Sequence, residues 1–238
     1  MSIPQPSKLT ALYHKHLSLN AVMADYDGWL LPKQYLSPDK EVLAAESLVA
    51  LLDVGSQSKF DIKGREIDAS LRKLLKHSMP IQIGDVIHAS LHSADATLGE
   101  ASCYRLADDH ALIIGRPNSR DSFSKVLEHP VASCFHVVDV TSNLAAVRLI
   151  GPRSGDLLSK LTELDILPTD FPDKRCSEGG VAEIHAIVVR SDRGKHLSYA
   201  VYYGREYGEF LWDAIMEAGH EYKIAPIGLE AVKTLASR

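Results

Sequence analysis

Across residues 59–150 the sequence alternates strand-like and helix-like runs joined by links of hairpin length, and that alternation narrows the fold more than any other feature. Residues 59–64, Lys-Phe-Asp-Ile-Lys-Gly, have the period of two of a half-buried strand. Residues 66–76 place Ile67, Leu71, Leu74 and Leu75 on one helical stripe. Strand patterns follow at 83–91 and 97–106, joined by a polar turn around Ser93-Ala94-Asp95, and again at 110–115 after Ala107-Asp108-Asp109. A helix is predicted over 119–129 and strands over 131–140 and 145–150. Parallel neighbours need crossovers of about a dozen residues or more. The short links therefore predict an antiparallel α+β module.

The flanks are more helical in pattern. Leu9, Leu12, Leu17 and Leu19 predict a helix within 8–23. His14 and His16, two apart, face different sides of such a helix and read as solvated, not as a metal pair. In 25–35, Asp27-Gly28 predicts a turn, and Pro32 pushes Leu31 towards extended structure. Tyr26 and Trp29 carry apolar bodies with polar tips, so this stretch either plugs a core or closes one wall of a ligand cleft. Ser37-Pro38-Asp39 predicts a capped helix with Val42, Ala45, Leu48, Val49 and Leu52 on one stripe, ended by 53–56. Gly151-Pro152-Arg153-Ser154-Gly155 lacks the Gly-Lys-Ser/Thr ending of a phosphate loop and turns the chain into a helix over 156–161. Residues 165–180 read as loop, 181–190 and 197–203 as strands. A helix over 205–218 turns Phe210, Leu211, Ala214, Ile215 and Ala218 inward and stops at Gly219, and a last helix covers 229–235.

Composition excludes several classes. The chain has 238 residues and a formal net charge of -5, which leaves no basic excess for nucleic acid. No apolar run approaches the roughly 20 residues of a membrane span. Residues 1–6 lack the basic and apolar pattern of a secretory signal. Cys103, Cys134 and Cys176 are odd in number and far apart, which reads as reduced thiols in a cytoplasmic protein without a disulfide framework or zinc motif.

Four stretches carry a resemblance in register: residues 25–35, Leu51-Leu52-Asp53-Val54 running to Ser58-Lys59-Phe60, Val140-Thr141 through Gly151-Pro152-Arg153-Ser154, and Leu211-Trp212-Asp213-Ala214 through Ala225-Pro226-Ile227-Gly228-Leu229. Together they resemble the glycine cleavage system T-protein, the aminomethyltransferase, and its folate-dependent demethylase relatives. The resemblance implies an α+β, T-protein-like folate-binding fold with antiparallel sheets, two intimately packed domains enclosing a central cleft. It implies an outer domain of 1–56 plus 140–238 and an inserted domain of 57–139. The family's C-terminal β-barrel has no counterpart here, so a homo-oligomer or a partner subunit would supply that wall.

Glu100, Ser102 and Tyr104 are spaced by two, so they share one face of a strand. That face reads either as a polar patch in a cleft or as the solvent face of a hairpin. The resemblance puts Glu100 where T-proteins carry the Asp that holds the substrate amine and the reactive folate nitrogen. It places Gln57, Trp29, Ser102, Arg116 and Arg190 along the cleft. Other anchors differ: the family's aromatic falls at Ala89, its Asn near Gly115 and Arg116, and its late Arg at Val232. Its pterin-gripping Glu falls near His196, where a neutral imidazole cannot replace a bidentate carboxylate, although a slip in register would offer Asp192. His88 and His92 lie on a strand ending in a turn, with no further metal ligands clustered nearby.

Two enzyme classes follow. One transfers a methyl or methylene group from a small donor to tetrahydrofolate. The other drops folate and uses Glu100, Tyr104 and His196 for acid–base release of a one-carbon fragment such as formaldehyde from a small, perhaps aromatic, substrate. A third, non-catalytic class is a folate-binding or scaffold subunit of an oxidase complex.

Overall fold

The structure, a computed structural model, describes residues 8–93, 96–127 and 135–236. Cys134 and parts of the expected 93–95 turn, 119–129 helix and 131–140 strand lie outside the described residues, as does the 1–6 segment. The chain divides into two units, residues 1–56, 145–173 and 178–238, and residues 57–144 with 174–177.

The early strands are β1 (Lys8–Leu9), β2 (Val22–Tyr26), β3 (Trp29–Gln34) and β4 (Ala50–Asp53). The second unit carries β5 (Ser58–Gly64), β6 (Val86–His92), β7 (Thr97–Ala107), β8 (His110–Gly115) and β9 (Phe135–Asp139). Then come β10 (Leu144–Ile150), β11 (Arg175–Val181), β12 (Ile184–Arg190), β13 (Ser198–Gly204) and β14 (Ala225–Pro226). The helices are α1 (Tyr13–Ser18), α2 (Pro38–Ser47), α3 (Ile67–Leu75), α4 (Arg120–Leu127), α5 (Ser154–Leu158), α6 (Gly208–Ala218) and α7 (Leu229–Ala236). No described helix is long and apolar enough to cross a membrane.

In the first unit, β2 and β3 form the hairpin that Asp27-Gly28 predicts, with Tyr26 opposite Trp29. Asp27 and Gly28 take φ of 54° and 79°, the positive values of a type I′ turn. Trp29 is buried, so this stretch is a core plug. The expected helix over 8–23 shrinks to α1, because β3 offers pairing edges that the residues on either side of α1 take instead. His16 is a correction: it is fully buried, not solvated. Its Nε2 lies 2.8 Å from Asp53 Oδ2 and its Nδ1 2.7 Å from the Tyr35 hydroxyl. Burial, then the nearby Asp53 and Glu41, push the Tyr35 phenol up, so it stays a donor in this chain.

Pro38 opens α2 as expected, but the Ser37 hydroxyl makes no cap. Glu41 reaches back instead. Its Oε1 accepts the Tyr35 and Leu36 N–H groups at 2.6 and 2.8 Å, and its Oε2 accepts the Gly228 N–H at 2.8 Å. The predicted stripe out to Leu52 breaks, and residues 50–53 become β4, paired antiparallel with β10 and parallel with β14. The six-stranded sheet runs β11-β12-β13-β10-β4-β14. Its β11 falls in the region expected to be loop.

Alternation sorts the two faces of that sheet. Val49, Leu51, Val147, Leu149, Val188, Tyr199 and Val201 pack in one core with Leu157, Leu158, Leu211, Trp212 and Ile215. Phe210, expected inward, is exposed, and Trp212 takes the inner position beside His16, ring centroids 5.6 Å apart. Gly151 turns β10 towards α5 with φ of +133°, and a Cβ there would lie 2.4 Å from the Leu48 carbonyl oxygen.

The second unit is a five-stranded sheet, β6-β7-β8-β5-β9, antiparallel at every pair. Its two described α-helices share one core with the sheet: Ile67, Leu71 and Leu74 from α3 and Phe123 and Leu127 from α4 meet Phe60, Ile62, Ala101, Cys103 and Ile113. Burial raises the Cys103 thiol to about 12, with the neighbouring Cys176 thiol adding to it, so Cys103 is an inert packing residue.

Candidate functional site

On β7, Glu100, Ser102 and Tyr104 share a face but not an environment. Glu100 is exposed, and its Oε2 accepts Arg116 Nη2 at 2.5 Å and Nε at 3.2 Å. The Ser102 hydroxyl lies 2.8 Å from His88 Nδ1 on β6, directly across the ladder. Tyr104, between Val86 and Leu112, is buried. The second unit thus brings Glu100, Ser102 and Arg116 onto one sheet region, grading from open at Glu100 to closed at Tyr104. Gln57 is half-buried, and its carbonyl accepts Lys59 Nζ at 2.9 Å.

The remaining expected residues belong to the first unit. Arg190 clamps the 168–173 loop rather than standing open. Its Nη1 donates to the Phe171 carbonyl at 2.7 Å, while Nη2 and Nε grip Asp192 at 2.7 and 3.2 Å. The Asp192 carboxylate raises the guanidinium pKa, and it also accepts the Ser198 N–H at 3.0 Å. Asp192 is therefore spent on structure. Between Asp192 and Ser198 the chain makes a tight turn, with Arg193 and His196 exchanging backbone hydrogen bonds at 2.9 and 3.0 Å. His196 is buried, and its ring makes no hydrogen bond to a described residue.

This turn roofs a cavity of about 440 Å³. Leu52, Arg148 and Ile150 form its floor, Val232, Leu235 and Ala236 of α7 one wall, and Arg193, Gly194, Lys195 and His196 the rim. The floor follows from register: Arg148 lies opposite Leu52, and Ile150 is two residues further on the same face of β10. Arg148 was missed in the sequence, where a lone charge in Ala145-Ala146-Val147-Arg148-Leu149-Ile150 is the signal that marks it. It is 3% exposed. Nη1 donates to Ser198 Oγ at 2.9 Å and to the Ser191 carbonyl at 3.4 Å, while buried Nε makes no hydrogen bond to a described residue.

The resemblance implies tetrahydrofolate, held by its pterin at the 191–196 turn. Pterin presents N–H groups that need acceptors. The described lining of the cavity contains no carboxylate, Asp192 is engaged, and an imidazole stands at position 196. These residues do not fit the pterin edge. Among the described residues no group of three His, Cys, Asp or Glu side chains is placed to hold a metal ion.

The GCVT N-terminal domain family matches residues 12–237. Similar curated proteins include the aminomethyltransferase of Moorella thermoacetica, 28% identical over 231 residues, covering 96% of this chain and 63% of the relative. That of Anoxybacillus flavithermus is 28% identical over 229 residues, covering 95% and 62%. The chain thus spans less than two thirds of the length of these relatives. Among solved structures, glycine cleavage system aminomethyltransferase T from Bartonella henselae matches with a TM-score of 0.83 at 18% identity, over 96% of this chain and 62% of that one. A chain of heterotetrameric sarcosine oxidase from Corynebacterium sp. U-96 matches with a TM-score of 0.59 at 20% identity, over 80% of this chain and 97% of that one. The α+β fold with antiparallel sheets is the one these structures share, and with a match running through almost all of its length the protein belongs to the GCVT N-terminal domain family.

Proposed function

We propose that the protein is a one-carbon enzyme of the aminomethyltransferase type that releases the one-carbon unit of a small amine donor without passing it to a pterin held at the 191–196 turn. The observation that carries this reading is that the turn offers no open carboxylate: Asp192 is bound by Arg190 and Ser198, and an imidazole stands at position 196, where the resemblance implies a carboxylate. The donor half of the chemistry keeps its carboxylate. Glu100 is open and oriented by two Arg116 nitrogens, which suits it to receive a donor amine or its proton. For an N-hydroxymethyl amine the C–N bond breaks, the hydroxyl proton passes to the departing nitrogen, and formaldehyde leaves. No oxidant is consumed.

The test is a formaldehyde assay with N-hydroxymethyl and N-methylene amines, with and without tetrahydrofolate. Formaldehyde release that does not depend on tetrahydrofolate is expected. Turnover that strictly requires tetrahydrofolate contradicts the reading and restores ordinary family transfer. No turnover of any donor favours the second reading, a binding subunit, for which the match to nearly the whole length of a sarcosine oxidase chain speaks.

A further inference from the structure

We propose that the cavity under the 191–196 turn is a carboxylate site, in which Arg148 receives the anionic end of a ligand whose flat apolar body lies against Leu52, Ile150 and Leu235. As a binding site it stands on the cavity alone, within the first unit.

Arg148 is the centre of the argument. A guanidinium taken out of water without an opposite charge is strongly unfavourable, and buried charges are ordinarily paired. Arg148 is 3% exposed, and no described carboxylate reaches it. One nitrogen, Nη1, is used by a serine hydroxyl and a carbonyl, both neutral. Neither Nε nor Nη2 makes a hydrogen bond to a described residue. Nη2 is the guanidinium nitrogen left to meet a carboxylate in the cavity, since Nε is closed off within the fold. The rim adds Arg193 and Lys195, so every charged side chain in the described lining is cationic, and the rest of the floor and the α7 wall is apolar. A neutral or cationic guest would leave Arg148 uncompensated. At about 440 Å³ the cavity admits an acid of one or two rings.

Benzoate and its neutral isostere benzamide are the probes, titrated into the full chain and followed by calorimetry. Benzoate is expected to bind about tenfold or more tighter than benzamide, the range of a charge-assisted hydrogen-bonded pair. Arg148→Met removes that preference, and Arg148→Lys keeps only part of it, because a flexible point charge lacks the planar group that Ser198 and Ser191 hold in place. Leu235→Trp fills the cavity from α7 and blocks benzoate even if the Arg148 variants fail to fold. Equal binding of the two probes, no benzoate binding at millimolar concentration, or undiminished benzoate binding to folded Arg148→Met or Leu235→Trp overturns the site. Competition identifies the source of the carboxylate. Displacement of benzoate by tetrahydrofolate, with loss of both in Arg148→Met, assigns it to the folate tail. Benzoate binding indifferent to tetrahydrofolate assigns it to a separate small acid. A benzoate preference that survives alongside folate-dependent turnover sinks the proposed reaction and leaves the site standing.

Discussion

Glu100→Gln is expected to lower formaldehyde release by about two to four orders of magnitude, the range for a lost acid–base group. The substitution keeps shape and removes charge. An amide cannot accept a proton, and it weakens the hold on a cationic amine. Stability should barely move. Glu100 and Arg116 are 74% and 67% exposed, and ion pairs this open contribute about 0–1 kcal/mol. The separation of the two readouts is what identifies the role: activity falls while the urea midpoint stays. Full activity in Glu100→Gln removes Glu100 from the chemistry. A fall in stability matching the fall in activity makes it a structural residue.

Glu41→Ala is expected to destabilise the first unit by about 3–5 kcal/mol. Its buried carboxylate accepts three backbone N–H groups, from Tyr35, Leu36 and Gly228, and each orphaned donor costs roughly 1–3 kcal/mol. The three bonds tie the end of β3 to the start of α7, the helix that walls the cavity. Glu41→Gln should fall between wild type and alanine, because it keeps one acceptor oxygen. Urea unfolding measures both. A loss below about 1 kcal/mol in the alanine variant would mean that these donors find other partners.

Local pattern gives Glu41 no role and marks Arg148 only as a lone charge in an apolar strand, and the reason is the same. Each makes its telling contacts with residues far away in sequence, Gly228 for one and Ser191 and Ser198 for the other. Where the determinant is local, the sequence was sufficient. Asp27-Gly28 needs only its own backbone preferences to make a type I′ turn, and β8 and the alternation of β5 appear where period two places them. Where tertiary pairing decides, pattern misleads. The residues around α1 look helical until β3 is present to pair with them, and Leu52 continues a helical stripe until β10 claims it as strand. In α6 both faces carry apolar residues, so periodicity alone could not choose Trp212 over Phe210. His16 was misread for a related reason. A polar ring reads as solvated unless its partners, Asp53 and Tyr35, are known to converge on it. At the candidate site, the resemblance draws attention to the turn at His196, but only the structure shows that Asp192 is occupied and that a buried arginine lies beneath.

The proposed exchange of pterin acceptors for anion donors in the first unit is tested most directly by calorimetric titration with tetrahydropterin, the ring system without the benzoylglutamate tail. The account predicts no measurable heat of binding at concentrations where benzoate saturates the protein. Saturable binding of tetrahydropterin in the micromolar range would contradict it, since the pterin edge would then have found acceptors.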